Sequence, residues 1–350
     1  PRRRRMGSEM FVGLDVSKNS TMATAIDGAG QRLTQEKLGP SDAELIGFLR
    51  ALPTGRQHVV LEACNVWEHI YDAVASTGAD VVLAHPLETK YISRATLKTD
   101  RVDSAKLAEL GRLNAVPQAY APPPEIRALR RLCRERVFYL RKERSIAHHV
   151  YAVMLQKGVP YEEGVLQKKR RREQLRQFQV PEVDRGLDAI EKLEEITGPL
   201  DEQVRQVVRS SPEAQLLATV PGVGPVTALT LVAFLSPIER FDDLEAVVKY
   251  CGLCPSVRQS GEKSVHGPLV WDCQEILKWV MVEAQWITRR FEKGGDVAKV
   301  GKRVARRGKP QDGAVAAARK LVRICASILR RGTPYQPHAP GSPSRHHGAA

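Results

Sequence analysis

Long apolar runs and clustered cysteines are both missing from this chain of 350 residues. No stretch of about 18 uninterrupted apolar residues occurs, which predicts a protein without a membrane span. The basic start, residues 2–5, is not followed by an apolar segment of the signal-peptide type, so we expect no secretion leader. The six cysteines are scattered along the chain, which is typical of a reduced protein and not of a disulfide framework. These absences together predict a cytoplasmic protein.

Acidic residues are too few to balance the basic ones. The chain has 54 Lys and Arg against 40 Asp and Glu, which gives a formal charge of +14. Such an excess favours a polyanionic partner, of which nucleic acid is the commonest, although a generally basic surface is the alternative. Hydrophobic residues make up 42% of the chain, enough to build packed cores over a length that suggests two or three domains.

The segment 10–116 alternates short apolar runs with amphipathic stretches. Two apolar runs and a polar third run predict three consecutive antiparallel strands, and helices and strands then alternate up to a helix at 100–113. Three strands in a row followed by alternating helices and strands is the order of an α/β ribonuclease H-like domain. The proline-rich stretch 117–124 predicts a domain boundary.

Beyond that boundary the patterns are helical. Residues 124–210 predict two long helices that pair as an antiparallel coiled-coil arm and mediate dimer or tetramer formation. The loop expected between them carries a basic run that is either a solvated charge block or a nucleic-acid contact: Lys168, Lys169, Arg170, Arg171 and Arg172. Residues 212–331 predict a mainly α C-terminal domain, helical throughout, and residues 332–350 a disordered tail rich in Pro, Gly, His and Ser.

Four acidic residues stand out from this background. Asp15 lies within the first apolar run, where a charge is costly unless it is paired or metal-bound, and Glu62 ends another apolar run. Asp100 and Asp103, three residues apart, project from one face of the predicted helix. Carboxylates that converge favour a divalent cation, and magnesium can hold both oxygens of a phosphodiester exchange. Alternatively, the aspartates favour a helix N-terminus and Glu62 pairs with a basic side chain.

Three motifs carry a resemblance to a known family: Phe11-Val-Gly-Leu-Asp15-Val-Ser-Lys18, Leu61-Glu62-Ala63, and Lys98-Thr-Asp100-Arg-Val-Asp103-Ser-Ala-Lys-Leu107. They resemble the DEDD transposases of the insertion-sequence one-ten type, which are related to the pilin-gene DNA invertases. The resemblance implies a resolvase-like N-terminal domain in which Asp15, Glu62, Asp100 and Asp103 converge as a tetrad that binds magnesium (Mg2+).

The C-terminal region holds two further motifs. Gly222 and Gly224 lie in a Pro-Gly-Val-Gly-Pro stretch that predicts either a helix-hairpin-helix-like phosphate contact or a plain helix–helix corner. A later Ser260-Gly-Glu-Lys263 stretch is weak by itself, since most Ser-Gly pairs are turns. The resemblance implies that Ser260, and neither Ser256 nor Ser264, is the nucleophile. The basic stretch that the family has after this serine is replaced here, so either Lys263, Lys278 and Arg258 hold the scissile phosphate or this copy is impaired. We hypothesise that Ser260 acts together with the tetrad of the same or a neighbouring subunit.

The resemblance further implies a recombinase that acts on double-stranded DNA and is guided by a noncoding bridge RNA. Two alternatives remain at this point: a structure-selective, metal-dependent endonuclease that uses water, and an inactive nucleic-acid-binding relic. A zinc site is a third possibility for one segment, where four side chains have the chemistry but a poor spacing for it: Cys251, Cys254, His266 and Cys273.

Overall fold

A computed structural model describes residues 9–92, 100–162, 164–260, 263–291 and 295–337. By its internal contacts the chain divides into two compact units, Pro1–Pro122 and Pro123–Ala350, so the division falls within the proline-rich stretch. Most of the predicted disordered tail, from residue 338 onward, lies outside the described residues. In the described part of the chain, no helix has the length and apolar character needed to cross a membrane.

The first unit is built on one mixed sheet of five strands. Its elements, in chain order, are β1 (Glu9–Val16), β2 (Thr21–Asp27), β3 (Arg32–Leu38), α1 (Asp42–Ala51), β4 (Arg56–Glu62), α2 (Trp67–Ala75), β5 (Asp80–Ala84), α3 (Pro86–Ile92) and α4 (Asp100–Arg112). The strand order is β3-β2-β1-β4-β5. β1, β2 and β3 pair antiparallel as a meander, whereas β4 lies parallel to both β1 and β5. This architecture is compatible with the ribonuclease H-like class, although the sequence did not predict α3.

The two faces of the sheet are covered by different helices because successive side chains of a strand alternate between them. Val12 and Leu14 of β1 join a buried cluster with residues of α1 and α2, such as Leu45 and Val74. The opposite face of β1 packs against α4, where Phe11 belongs to a cluster with Ala108 and Ile26. The sheet is therefore sandwiched between α1 and α2 on one side and α4 on the other.

The second unit is mostly helical. Its elements are α5 (Pro124–Gln156), α6 (Lys169–Arg176), α7 (Pro181–Ser210), α8 (Pro212–Ala218), α9 (Pro225–Leu235), α10 (Leu244–Tyr250), β6 (Pro255–Ser260), β7 (Lys263–Leu269), α11 (Glu275–Phe291), α12 (Asp296–Ala305) and α13 (Pro310–Arg331). Apolar side chains of α5 and α7 share one buried core with those of α8, α9, α11 and α13. The predicted arm and C-terminal domain thus belong to one compact unit in this structure.

The two long helices, α5 and α7, pack antiparallel. Gly186 of α7 lies directly against Val150 of α5, while at the other end Arg136 donates two hydrogen bonds to the carboxylate of Asp201, at 2.6 and 3.0 Å. In the sequence Arg136 interrupts an apolar stripe, and the bidentate pair explains how that charge is accommodated in a largely buried position. The heptad packing of a coiled coil remains a prediction.

One prediction for this unit was wrong. The sequence suggested helix throughout residues 212–331, whereas β6 and β7 form an antiparallel hairpin in which Val257 pairs with His266 and Ser260 with Lys263. Residues 255–260 contain one β-branched residue, Val257, and no helical stripe of apolar residues, and the Ser-Gly pair at 260–261 is a turn signal.

Candidate active site

Asp15 and Glu62 lie side by side at the carboxyl ends of two adjacent parallel strands. Leu14 of β1 is in register with Leu61 of β4, and each carboxylate belongs to the next residue along its strand. Both residues are half-buried, and both take part in polar or electrostatic interactions. Because adjacent strands are about 4.8 Å apart, this register brings the two acids to one edge of the sheet.

The face that these two carboxylates share is the one covered by α4. Asp15 is two residues beyond Gly13, whose Cα lies against the backbone of Ser104 in α4. Glu62 is two residues beyond Val60, which packs in a buried cluster with Leu107. The period of two along a strand therefore places both acids on the side of α4.

Helix α4 runs antiparallel to β1, and this direction carries Asp100 and Asp103 toward the same edge. Ser104 lies over Gly13, whereas Gly111, further along the helix, faces Phe11. Asp100 precedes Ser104 by one helical turn, about 6 Å, and Asp15 follows Gly13 by about 6.6 Å of strand. Both displacements have the same direction and a similar length. The start of α4 therefore lies at the level of Asp15 along the strand.

A chain of hydrogen bonds with a buried centre links the start of α4 to the sheet. The hydroxyl groups of Thr24 and Ser104, both fully buried, are 2.8 Å apart. The amide of Gln35 donates to the Thr24 hydroxyl at 2.8 Å and to the carbonyl oxygen of Arg101 at 2.9 Å. These residues were not predicted from the sequence, although the polar Thr24 inside an apolar strand was an available signal.

A substitution of Gly13 tests the close approach of α4 to β1. A Cβ at position 13 would overlap the carbonyl oxygen of Ser104 and the amide nitrogen of Ala108, which are backbone atoms that cannot rotate away. We expect Gly13→Ala to lower the free energy of unfolding by about 1–3 kcal/mol or more, since α4 must move off the sheet. Gly47→Ala is the matched control: Gly47 lies in α1 with open space around it, so alanine should stabilise by roughly 0.5–1 kcal/mol. Equal unfolding midpoints in urea for the two variants would contradict the close approach of α4.

The carboxylates are placed at one edge but are not gathered into a cluster. Asp103 accepts a hydrogen bond from the ammonium of Lys106 at 3.0 Å, and Asp100 is exposed at the start of α4. Among the described residues, no three His, Cys, Asp or Glu side chains lie close enough together to hold a metal ion. The donor set itself, four carboxylates and no thiol or imidazole, is the chemistry that magnesium prefers.

Ser260 and Lys263 occupy the end of the β6–β7 hairpin, where their backbones pair across the turn. Gly261 and Glu262, which connect the two strands, lie outside the described residues. Ser256, the nearest alternative serine upstream, has its hydroxyl against Gly267 of the partner strand. Ser256 therefore has a packing role within the hairpin.

The glycine-rich stretch forms the corner between α8 and α9. Gly222 has a φ of +89°, and a Cβ there would lie 2.6 Å from the amide nitrogen of Thr288 in α11. The Thr288 hydroxyl donates to the carbonyl oxygen of Pro221 at 2.7 Å. Close packing against α11 thus accounts for Gly222, as the helix-corner interpretation expects. Gly224 is exposed at the start of α9, and its contact with phosphate remains a prediction.

The basic run differs from its prediction in two respects. It was expected in a loop, but Lys169–Arg176 is the helix α6. Arg172 is 2% exposed and donates to the carboxylate of Glu194 at 2.7 Å, so it is an interior ion pair and not a free nucleic-acid contact. Arg171 pairs with Glu162 at 2.9 Å, whereas Lys168, Lys169 and Arg170 are exposed.

The cysteines considered for zinc have other environments. Burial raises the pKa of the Cys251 thiol far above its ordinary value, and Cys273 packs directly on Gly252. Burial also raises the pKa values of Cys254 and Cys273, and the side chain of the fourth candidate, His266, lies outside the described residues. The structure therefore gives no support to the zinc interpretation.

Comparison with known proteins agrees with the motifs. Residues 12–159 match a family model described as a transposase, of the DEDD type named for IS110. Residues 214–300 match the model of the Transposase IS116/IS110/IS902 family. The two matched segments together span about two thirds of the chain.

Curated relatives include transposases and pilin gene-inverting proteins. The transposase for insertion sequence element IS1111A of Coxiella burnetii is 24% identical over 275 residues, which are 75% of this chain and 73% of that protein. The pilin gene-inverting protein of Moraxella lacunata is 24% identical over 342 residues, covering 94% of this chain and 98% of that protein. The chain belongs to the IS110-type DEDD transposases, which confirms the resemblance stated from its motifs.

Proposed function

We propose that this protein is a DNA strand transferase that cuts and rejoins DNA through a carboxylate-bound metal and a serine nucleophile. The observation that carries the proposal is the common placement of Asp15, Glu62 and the start of α4 at one edge of the sheet. The acids of the family motif come from three elements that are far apart in the sequence, and a purely structural explanation of each acid alone does not account for that placement.

The four acids of the tetrad would form the metal site, with Lys106 next to Asp103. Asp15, Glu62, Asp100 and Asp103 would hold magnesium, which when bound supplies positive charge next to the scissile phosphate. Lys106, which now neutralises Asp103, would give up that pairing as the carboxylate becomes a ligand. The half-buried positions of Asp15 and Glu62 would limit the access of water to a cation held there, which would strengthen its interaction with phosphate.

The serine step is a transesterification. The Ser260 Oγ would form a bond to phosphorus, the bond from phosphorus to the departing deoxyribose oxygen would break, and the hydroxyl proton would end on that oxygen. The product is a phosphoserine diester with one free DNA hydroxyl. Because the diester keeps the energy of the broken bond, attack by a second DNA hydroxyl can reverse the step and rejoin strands without a cofactor. Lys263, opposite Ser260 in the hairpin, would supply positive charge near the phosphate.

Recovery of a protein–DNA adduct tests this proposal directly. The unmodified protein is incubated with magnesium and labelled duplex DNA that carries the ends of its insertion sequence. The labelled DNA should stay attached to the protein in denaturing electrophoresis. Cleavage without such an adduct would favour a hydrolase that uses water. Neither cleavage nor adduct, with DNA binding intact, would indicate an inactive relic.

We further propose that a bridge RNA and double-stranded DNA are the nucleic-acid partners, with base pairing selecting the site. The family and the net charge of +14 support a nucleic-acid partner. The exposed cations Lys168, Lys169 and Arg170 remain proposed backbone contacts, together with Gly224 at the start of α9. Sequencing RNA that co-purifies with the protein checks the RNA partner, and recovery of only non-specific RNA would contradict it.

The α5–α7 pair is proposed as the surface for self-association. Phe138 of α5 and Ile196 of α7 are 53% and 44% exposed, so each helix of the pair leaves apolar surface that a second copy would cover. We expect the double variant Phe138→Glu, Ile196→Glu to convert an oligomer to a monomer in light scattering. Phe291→Glu, at a position 74% exposed on α11, is the control and should keep the parental mass. A parental mass for both variants would place the interface elsewhere.

A further inference from the structure

We propose that the exposed face of α12 and the turn after it form a binding surface for the phosphate backbone of duplex DNA. The proposal rests on the proposed function only in taking DNA as the partner. The surface, called here the α12 surface, is formed by six cations within eleven residues: Lys299, Lys302, Arg303, Arg306, Arg307 and Lys309.

The cations of the α12 surface lie on one side of the helix. Val297, Ala298 and Gly301 are buried, while the basic residues at positions 299, 302, 303 and 306 are exposed. The spacing i, i+3, i+4, i+7 follows one stripe of an α-helix and spans about 10 Å along its axis. The solvent-facing side of α12 therefore presents positive charge over its whole length.

Within the described residues, no carboxylate forms an ion pair with the cations of α12. In the part of the chain that the structure describes, Lys299, Lys302, Arg303, Arg306 and Arg307 form no ion pair. The two closest acids in the sequence are engaged elsewhere: Asp296 pairs with Lys320 at 3.3 Å, and the Asp312 carboxylate accepts from the backbone amide of Lys309 at 3.1 Å. Uncompensated cations at this density favour a polyanion.

The helix that carries the charge is held firmly. A Cβ on Gly301 would lie 3.2 Å from the carbonyl oxygen of Gly313 in α13 and 3.3 Å from the guanidinium carbon of Arg289 in α11. A Cβ on Gly313 would in turn lie 2.6 Å from the carbonyl oxygen of Gly301. Two glycines at the crossing allow the backbones to approach closely, so α12 presents its cations from a rigid position.

The buried apolar side of α12 also limits the kind of partner. A helix that binds membranes needs a free apolar face, whereas that of α12 is packed against α13. The major groove of B-form DNA is about 12 Å wide and admits a helix, while that of A-form RNA is too narrow and deep. Duplex DNA is therefore the polyanion that an exposed cationic helix fits.

Charge removal tests the α12 surface. We expect the triple variant Lys302→Gln, Arg303→Gln, Arg306→Gln to bind a labelled duplex of about 30 base pairs with affinity reduced tenfold or more at roughly 0.1 M salt. The slope of log affinity against log salt should become shallower by about 2.7, or 0.9 per lost phosphate contact. Fluorescence anisotropy in EDTA measures both without cleavage, so the result is independent of whether Ser260 forms an adduct.

The control removes the same charge from elsewhere. Lys37→Gln, Arg50→Gln, Arg185→Gln neutralises three exposed cations on β3, α1 and α7 and should bind nearly as the parent does. A charge-preserving variant, Lys302→Arg with Arg303→Lys, should also retain affinity. Equal losses of duplex affinity in the two triple variants would contradict DNA binding by the α12 surface. Parental DNA binding combined with lost binding to a structured RNA of equal length would overturn the choice of DNA.

Discussion

Asn in place of Asp15 is expected to reduce DNA cleavage about a thousandfold or more while duplex affinity changes less than about threefold. Losing a metal ligand removes several kcal/mol of transition-state stabilisation, and 1.36 kcal/mol corresponds to a factor of ten in rate. Glu62→Gln, Asp100→Asn and Asp103→Asn should behave in the same way, because each removes one negative ligand while keeping the size of the side chain. Removal of magnesium with EDTA should match these losses, and added Mg2+ should restore cleavage in the parent alone.

Glu109→Gln is the control for these four variants. Glu109 lies on the same helix as two of the acids, but its carboxylate pairs with Arg112 at 2.6 Å, which holds its pKa below the ordinary value. The variant Glu109→Gln removes one negative charge from α4 and leaves the acids at the edge where β1 and β4 end unchanged. Parental cleavage by Glu109→Gln and by all four tetrad variants would rule out the proposed metal site. Parental cleavage by Asp100→Asn alone would reduce the tetrad to three acids.

Ser260→Ala is expected to eliminate the covalent adduct, with a residual signal below about a thousandth of the parent. The alanine side chain lacks the oxygen that bonds to phosphorus, so no step downstream can compensate for it. Binding of duplex DNA should remain near parental. The measurement is retention of labelled DNA on denaturing gels after incubation with magnesium.

Ser256→Ala and Ser264→Ala are the comparisons that assign the nucleophile. Position 264 pairs with Gln259 across the hairpin, and Ser256 packs on Gly267, so both are close to Ser260 in chain and in element. Both variants should keep the adduct, with at most a moderate loss through the stability of the hairpin. If the adduct survives in Ser260→Ala and disappears in Ser256→Ala or Ser264→Ala, the nucleophile is the serine whose replacement removes the adduct.

Local patterns were enough to predict most of the first unit. Apart from the largely polar β3, each strand of this unit carries an apolar run, and the helix at 100–112 carries apolar residues at helical spacing, so these elements could be located before any tertiary contact was known. The family followed from short motifs for the same reason, because the residues around Asp15 and Asp103 are contiguous in the chain. The hairpin at 255–269 was missed because its few apolar residues form neither an apolar run nor a strand-type alternation.

The sequence by itself determined the charge, the order of the elements in the first unit apart from α3, the family and the candidate acids and serine. Tertiary structure alone decided which charges have partners: Arg172 and Arg136 resemble their exposed neighbours in sequence, yet both are buried against carboxylates from α7. It also decided why Gly13 is a glycine, since the backbone that excludes a Cβ belongs to a helix about ninety residues later. Burial and pairing depend on contacts between distant segments, and a local pattern carries no information about a partner that only folding brings near.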